Sequence, residues 1–178
     1  MRRTSLSLAC LLAIMFFAIA AMAQMPMPKP APELAKLDYL AGNWIGDGDL
    51  KPGPMGPGGK VTSTDDASWM DGKFFLVMHS KFSGAMGNGS STAYFGYNPE
   101  KKVYTYNEFN SMGQAEYSEG TINGDTWTWN SDENMNGQTF KGRFIMKVLT
   151  PTSYTYKFEM SQDGTNWTTV MDGKATKK

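Results

Sequence analysis

The chain has 178 residues, which is the size of one domain. Its 17 basic and 17 acidic residues give no net charge, and the basic side chains are scattered along the sequence. Proteins that bind nucleic acid need a basic stripe to capture phosphates, so this composition excludes nucleic acid as a partner.

The N-terminus is typical of an export signal. Arg2 and Arg3 precede an apolar stretch at residues 6–21, and a small-residue cleavage pattern ends at Ala23. We therefore expect residues 1–23 to be a signal peptide and the mature protein to be periplasmic or secreted. The apolar stretch is short for a transmembrane helix, so we expect no stable membrane anchor. The only cysteine, Cys10, leaves with the signal, so we expect the mature domain to fold without a disulfide.

A proline-rich leader and a short helix come next. Residues 24–33 alternate proline with small or flexible residues, which favours an extended tether. From residue 34 to residue 40 a leucine recurs at every third position, which predicts a short helix. Pro32 is well placed to start this helix and Gly42 to end it. We expect the helix to plug one end of a domain that spans residues 34–178.

The rest of the chain consists of short, aromatic-rich segments of alternating polarity. Turn residues that tolerate positive φ separate them, as at Asp71-Gly72 and Asn123-Gly124. We predict ten strands, at residues 42–50, 61–69, 73–82, 91–97, 102–109, 114–122, 125–131, 139–149, 153–160 and 166–175. Strands joined by tight turns pair with their sequence neighbours, and a closed barrel removes exposed edges. The sequence therefore predicts an all-β fold, a single antiparallel up-and-down barrel.

Two late strands show which face is buried. In residues 139–149 and 153–160, aromatic residues and methionines alternate with charged ones, so one face is dry and the other wet. In residues 73–82 both faces carry apolar side chains. We expect a lid, a dimer partner or the helix to cover the second face there. The sequence does not decide which face of the early strands points into the barrel.

Several motifs carry a family resemblance. Leu37-x-x-Leu40-x-Gly42-x-Trp44-x-Gly46-x-Gly48 resembles the opening of lipocalin-like (calycin) barrels. The motifs Trp69-x-Asp71-Gly72-Lys73-Phe74 and Gly96-Tyr97-Asn98-Pro99, in this order, resemble the secreted bacterial family DUF1579 over most of residues 34–176. The resemblance implies a lipocalin-like barrel whose Trp44 plugs one end. The opening is also similar to haem-binding nitrobindin-type barrels, which need a late histidine as iron ligand. The sole histidine, His79, lies in the third strand, so we expect no haem and no other cofactor.

Metal sites are disfavoured as well. Zinc usually needs several nitrogen or sulfur ligands, and His79 stands alone. Asp132-x-Asn134-x-Asn136-Gly137 matches the start of a calcium loop, but its twelfth position is Arg143 where a glutamate is needed. Most methionines alternate with other apolar strand residues, so we interpret them as core residues rather than copper ligands.

For function, we expect a non-enzymatic binder of a small, largely apolar ligand held inside the barrel. Its predicted pocket is built from aromatic and polar side chains of several strands: Trp44, His79, Tyr94, Tyr106, Glu108, Tyr117, Trp129, Phe144 and Tyr156. One alternative is an enzyme that uses His79 with Glu108 or Glu116 at the barrel mouth. Another is an envelope interaction protein that docks a partner through exposed Trp127 and Trp129. Both a monomer and a homodimer remain open.

Overall fold

The computed structural model describes residues 28–53, 55–85, 87–135 and 137–178. The predicted signal peptide and the first residues of the proline-rich leader lie outside the described residues. Ten strands form the domain: β1 (Gly42–Leu50), β2 (Gly59–Trp69), β3 (Leu76–Gly84), β4 (Gly89–Asn98), β5 (Val103–Asn110), β6 (Ala115–Asn123), β7 (Thr126–Met135), β8 (Gln138–Thr150), β9 (Ser153–Ser161) and β10 (Thr168–Lys177). A single short 3₁₀ helix, Pro32–Tyr39, precedes them in the described part of the chain.

The strands form one closed antiparallel barrel, as the sequence predicts. Each strand pairs with its neighbours in the chain, and β1 closes the barrel against β10 in the register Trp44 to Lys177. The predicted strand ends are shifted by a few residues. The largest shift is at the end of β7, which continues to Met135 instead of ending at residue 131. β3 starts three residues later than predicted, because residues 70–75 form a turn in which the amide of Met70 donates to the carbonyl of Phe75.

The 3₁₀ helix covers one end of the barrel, which we call the plugged end. The side chains of Leu34, Leu37 and Leu40 are buried against Trp44, whose indole Nε1 donates to the carbonyl of Leu40 at 2.8 Å. The Tyr39 hydroxyl donates to the carbonyl of Ser153 at 2.9 Å and so ties the helix to β9. Apolar burial and these hydrogen bonds together close this end to solvent.

Strand alternation decides which side chains enter the barrel. Trp44 in β1 is 1% exposed and its register partner in β2 is Asp65, so both face the interior. Carried through the register, the same rule places Leu76, Phe95, Tyr104, Trp129 and Met146 inside at or near the plugged end. The opposite end, where β1 ends and β2 begins, is not covered by a described helix. We call it the open end.

The outer face of β3 is not covered by any described element. Phe75 is 45% exposed, and His79 is exposed as well. The apolar residues on both faces of residues 73–82 therefore do not reflect a second covering layer formed by the described part of the chain. The described residues contain no helix of the length and hydropathy needed to cross a bilayer.

Candidate functional site

Six of the nine predicted pocket residues lie on the inner face of the barrel, as the strand register shows when it is followed from Trp44 around the barrel. They are Trp44, Tyr106, Glu108, Trp129, Phe144 and Tyr156. Trp44 and Trp129 are buried in the plugged end, whereas Glu108, Phe144 and Tyr156 are half-buried farther toward the open end. Whether any of them contacts a ligand stays a prediction.

The other three residues lie on the outer face. His79 pairs with Thr92 of β4, and its Nδ1 lies 3.1 Å from the Thr92 hydroxyl on the barrel surface. Tyr94 is 36% exposed and Tyr117 is 50% exposed. These three side chains do not line the barrel interior, because each is one residue out of phase with the inward positions of its strand.

The alternation of inward and outward side chains also places the residues of the enzyme hypothesis on opposite faces of the barrel wall. Glu108 and Glu116 face each other inside the barrel as a register pair of β5 and β6. His79 points outward from β3, so it cannot reach either carboxylate through the barrel wall. The arrangement of His79 with Glu108 or Glu116 is therefore not formed.

The expected docking face is not exposed either. Trp127 and Trp129 are 4% and 6% exposed because their positions in β7 face the core. The large aromatic side chains that do reach the outer surface of β3 to β6 are Phe75, Tyr94, Phe109 and Tyr117.

A layer of polar side chains lines the barrel between the aromatic core and the open end. Four carboxylates and five serines occupy inward register positions in β2 to β7. We call this set the polar layer: Ser63, Asp65, Ser80, Ser91, Glu108, Glu116, Ser118, Ser131 and Glu133. Of its acidic members, Asp65 and Glu133 were not expected from the sequence. The signal was present, since Val61, Ser63, Asp65, Ala67 and Trp69 share one parity in β2.

Each carboxylate of the polar layer is hydrogen-bonded by a neutral hydroxyl two residues away on its own strand. The Ser118 hydroxyl donates to Glu116 and the Ser131 hydroxyl to Glu133, both at 2.6 Å. The Ser63 hydroxyl donates to Asp65 at 3.1 Å, and the Tyr106 hydroxyl donates to Glu108. A hydroxyl satisfies a carboxylate oxygen without cancelling its charge.

Burial disfavours the charged form of these groups. The pKa of Glu116 is raised to about 7, chiefly by desolvation; the hydrogen bond from Ser118 opposes this rise, and the negative charges of Glu133 and Glu108 add to it. Desolvation also raises the pKa of Asp65, although the hydroxyls of Ser80 and Ser63 act in the opposite direction. The polar layer therefore holds carboxylates that water does not fully solvate.

Basic side chains of the described strands lie almost entirely outside the barrel. Lys141 and Arg143 of β8 point outward, where Lys141 pairs with Asp132 at 2.7 Å and Arg143 with Glu159 at 2.6 Å. Among strand lysines and arginines, only Lys177 occupies an inward position. Its ammonium lies over the Trp44 ring at the plugged end. Among the four carboxylates, Asp65 is the one on a strand next to β1, as the register partner of Trp44.

An aromatic wall faces the polar layer from β8 and β9. The rings of Phe144 and Tyr156 stack with centroids 5.7 Å apart and planes 19° apart. Tyr156 lies flat across the neighbouring strands because Gly48 and Gly173 lack the Cβ atoms that would collide with it. Desolvation first, and then the charge of Asp65, raise the pKa of Tyr156 to about 12.

The interior near the open end is accessible to water-sized groups. Inward side chains such as Ser80, Glu116, Phe144 and Tyr156 keep part of their surface exposed although they face the barrel axis. A shallow depression of 380 Å³ lies beside the β9–β10 hairpin and is bordered by Phe140, Met160, Asp163 and Val170; no residue of the polar layer and neither ring of the aromatic wall lines it.

The segment that matches the start of a calcium loop lies at the β7–β8 hairpin, and its Asn136 lies outside the described residues. Asp132 is paired with Lys141, and Asn134 accepts a hydrogen bond from Thr139 at 2.7 Å. Within the described ranges, no three acidic, histidine or cysteine side chains are grouped so that they could hold a metal ion.

Comparisons with known proteins give a family and a fold. The family model described as "Protein of unknown function (DUF1579)" matches residues 29–177, so the chain belongs to the DUF1579 family. The fold is similar to the crystal structure of Rv2717c from M. tuberculosis, with a TM-score of 0.57 and 14% sequence identity, covering 84% of this chain and 99% of that chain. No curated protein matches the sequence.

Proposed function

We propose that this member of the DUF1579 family is a non-enzymatic protein that binds a small ligand inside its barrel. The ligand enters at the open end and lies between the aromatic wall of β8 and β9 and the polar layer of β2 to β7. Its apolar part contacts Phe144, Tyr156 and Phe158, whose inward positions follow from the β8–β9 register. The plugged end serves as the rigid floor of the site.

One observation carries this proposal. A barrel that served only as a packed core would bury its inward side chains completely, because protein interiors pack as densely as organic crystals. Here the inward residues of the plugged end are buried, with Leu76 at 0% and Trp44 at 1% exposure. Toward the open end the inward side chains are mixed: Val61 and Met160 are buried, whereas Ser131, Glu133 and Phe144 remain half-buried. The partial exposure of these three inward side chains is what supports a ligand space at this end.

The proposal can be tested by native mass spectrometry of the protein purified from its own host without denaturation. We expect a stoichiometric small molecule to leave the protein on denaturation. Ser131→Phe places a large side chain at an inward position of the polar layer and should abolish retention of that molecule. Asn130→Phe is the matched control, since Asn130 is exposed on the outer face of the same strand.

A second blocking variant, Ser80→Phe, keeps the test valid if Ser131→Phe does not fold, because Ser80 lies inward on a different strand, β3. Both variants should keep the circular dichroism spectrum of the unmodified barrel. Retention of the molecule in both folded variants, or protein that carries no small molecule at all, would refute binding inside the barrel.

Two further expectations belong to this proposal. We propose that the protein is exported, with its mature N-terminus at Gln24, which mass measurement of protein recovered from the periplasm or the medium would test. The lipocalin-like kinship also stays a proposal, supported by the helix-covered end and by Trp44, which packs against the helix residue Tyr39 with ring centroids 5.4 Å apart.

A further inference from the structure

We propose that the ligand of this barrel is a small organic cation, a protonated amine or a quaternary ammonium with an apolar substituent. The inference rests on the proposed function and specifies the chemistry of the same site. It follows from the charge of the polar layer, from the buried hydroxyl of Tyr154, and from the aromatic wall.

The polar layer places carboxylates on several strands of the barrel. Glu108 and Glu116 are paired across β5 and β6, and Glu133 lies on the next strand at the same end of the barrel. Asp65 projects inward from β2, and its charge acts on Tyr106 and on Tyr156 of the strands across the barrel. In the described strands no lysine or arginine points into this part of the barrel, and the hydroxyl partners of the carboxylates are neutral. A cation is therefore the counter-charge that the site lacks.

A buried hydroxyl lies beside these carboxylates. Tyr154 is 9% exposed, and among the described residues its hydroxyl has no hydrogen-bond partner. Every fully enclosed side-chain nitrogen and oxygen in the described ranges is paired, so the Tyr154 oxygen is not fully enclosed.

The position of Tyr154 places it near a carboxylate of the polar layer. Its ring packs against Trp44 at 5.0 Å and against Tyr156 at 6.3 Å, so it lies between the plugged end and the aromatic wall. Burial raises the pKa of Tyr154, and the charge of Asp65 raises it further. A phenol hydroxyl accepts a hydrogen bond from an ammonium N–H, and its ring presents a negative face to a cation.

Acidic and aromatic side chains adjoin each other around the lumen. The carboxylates of β5 to β7 are followed on β8 and β9 by the stacked rings of Phe144 and Tyr156. Glu133 is the direct register partner of Phe140, so an acidic and an apolar side chain meet at the open end. Such a lumen suits a ligand with a charged head and an apolar body.

Isothermal titration calorimetry with three matched probes tests the charge preference directly. The probes are phenethylamine, which is protonated at neutral pH, neutral phenethyl alcohol and anionic phenylacetate. We expect the ammonium to bind at least about tenfold more tightly than the alcohol, as Coulomb attraction at a partly buried site implies. Phenylacetate should show no measurable binding.

A double variant, Glu108→Gln with Glu133→Gln, should bring the affinity for phenethylamine down to that for the alcohol. Glu119→Gln is the control, because Glu119 lies on the outer face of β6 and pairs with Lys101 at 2.7 Å. Calcium chloride titrated alone should give no binding heat that depends on these two glutamates. The single variant Glu133→Gln, which should reduce the preference partially, keeps the test valid if the double variant does not fold.

The outcomes separate the two proposals. Equal binding of the ammonium and the alcohol, or tighter binding of phenylacetate, would overturn the cation inference and leave ligand binding in the barrel intact. Calcium binding that requires Glu108 and Glu133 would also overturn it. The function proposal fails separately, by the native mass spectrometry described above. Ammonium preference that survives in the double variant would place the cation site elsewhere and refute the inference.

Discussion

Glu116 offers a quantitative test of the buried polar layer. It lies inward on β6 between Glu108 of β5 and Glu133 of β7, and the Ser118 hydroxyl donates to it at 2.6 Å. Its folded-state pKa is about 7 against an ordinary value of 4.5, chiefly because of desolvation. The difference of about 2.5 corresponds to about 3 kcal/mol at about 1.36 kcal/mol for each pKa unit.

The direction of the effect follows from proton linkage. A carboxyl whose pKa is raised by folding binds its proton more tightly in the folded state than in the unfolded state. Its contribution to stability is fully present below about pH 4.5 and is lost as the pH rises through about 7. Glu116→Gln removes the ionisation, so the variant should be more stable than the parent at pH 8 by up to about 3 kcal/mol. At pH 4 the two proteins should have nearly equal stability.

Urea unfolding followed by tryptophan fluorescence between pH 4 and pH 8 measures this difference. Glu119→Gln serves as the control on the same strand. The Glu119 pKa is lowered, first by the hydrogen bond from Lys101, so this variant should gain no stability at high pH. A stability difference for Glu116→Gln that stays constant with pH, or that grows toward acid pH, would refute the placement of Glu116 in a poorly solvated interior.

Two packing predictions concern the plugged end. Gly120→Ala should destabilise the protein by about 1–3 kcal/mol in urea unfolding, since the added Cβ would collide with the six-membered ring of Trp129. Gly53→Ala is the control, because a Cβ there meets open space, and an equal loss in both variants would contradict the collision. Trp44→Phe removes the hydrogen bond to the Leu40 carbonyl and part of a fully buried ring, so thermal or urea unfolding should show a loss of about 2 kcal/mol. An unchanged unfolding midpoint would show that the indole does not anchor the helix.

The architecture was predictable from local signals. The alternation of apolar and polar residues and the turn residues, such as those at Asn123-Gly124, locate the strands. A strand needs one buried face and a tight turn needs a residue with positive φ, and both requirements are visible in a few consecutive residues. The orientation of β3 was not predictable from the sequence, because apolar residues occupy both of its faces. Only the pairing of β3 with β2 and β4 decides which face points inward. His79 is on the outer face as a result, and Phe75 is exposed in the turn that precedes β3.

The site was less predictable for a related reason. An acidic residue in a strand is usually on the solvated face, so Asp65 and Glu133 were not expected inside. The strand register places both carboxylates inside the barrel, because Asp65 is paired with Trp44 and Glu133 with Phe140, and Trp44 and Phe140 point inward. The parity of Val61 and Ala67 in β2 carries this information, provided that serine and aspartate are accepted as interior residues when they are hydrogen-bonded.

A crystal structure of the protein soaked with phenethylamine tests the central claim most directly. We predict density for the probe inside the barrel near the open end, with its ammonium within hydrogen-bonding distance of Glu108 or Glu133 and its ring on Phe144 or Tyr156. Density for the probe only on the outer face, or an interior filled by rearranged side chains with no room for it, would contradict the claim.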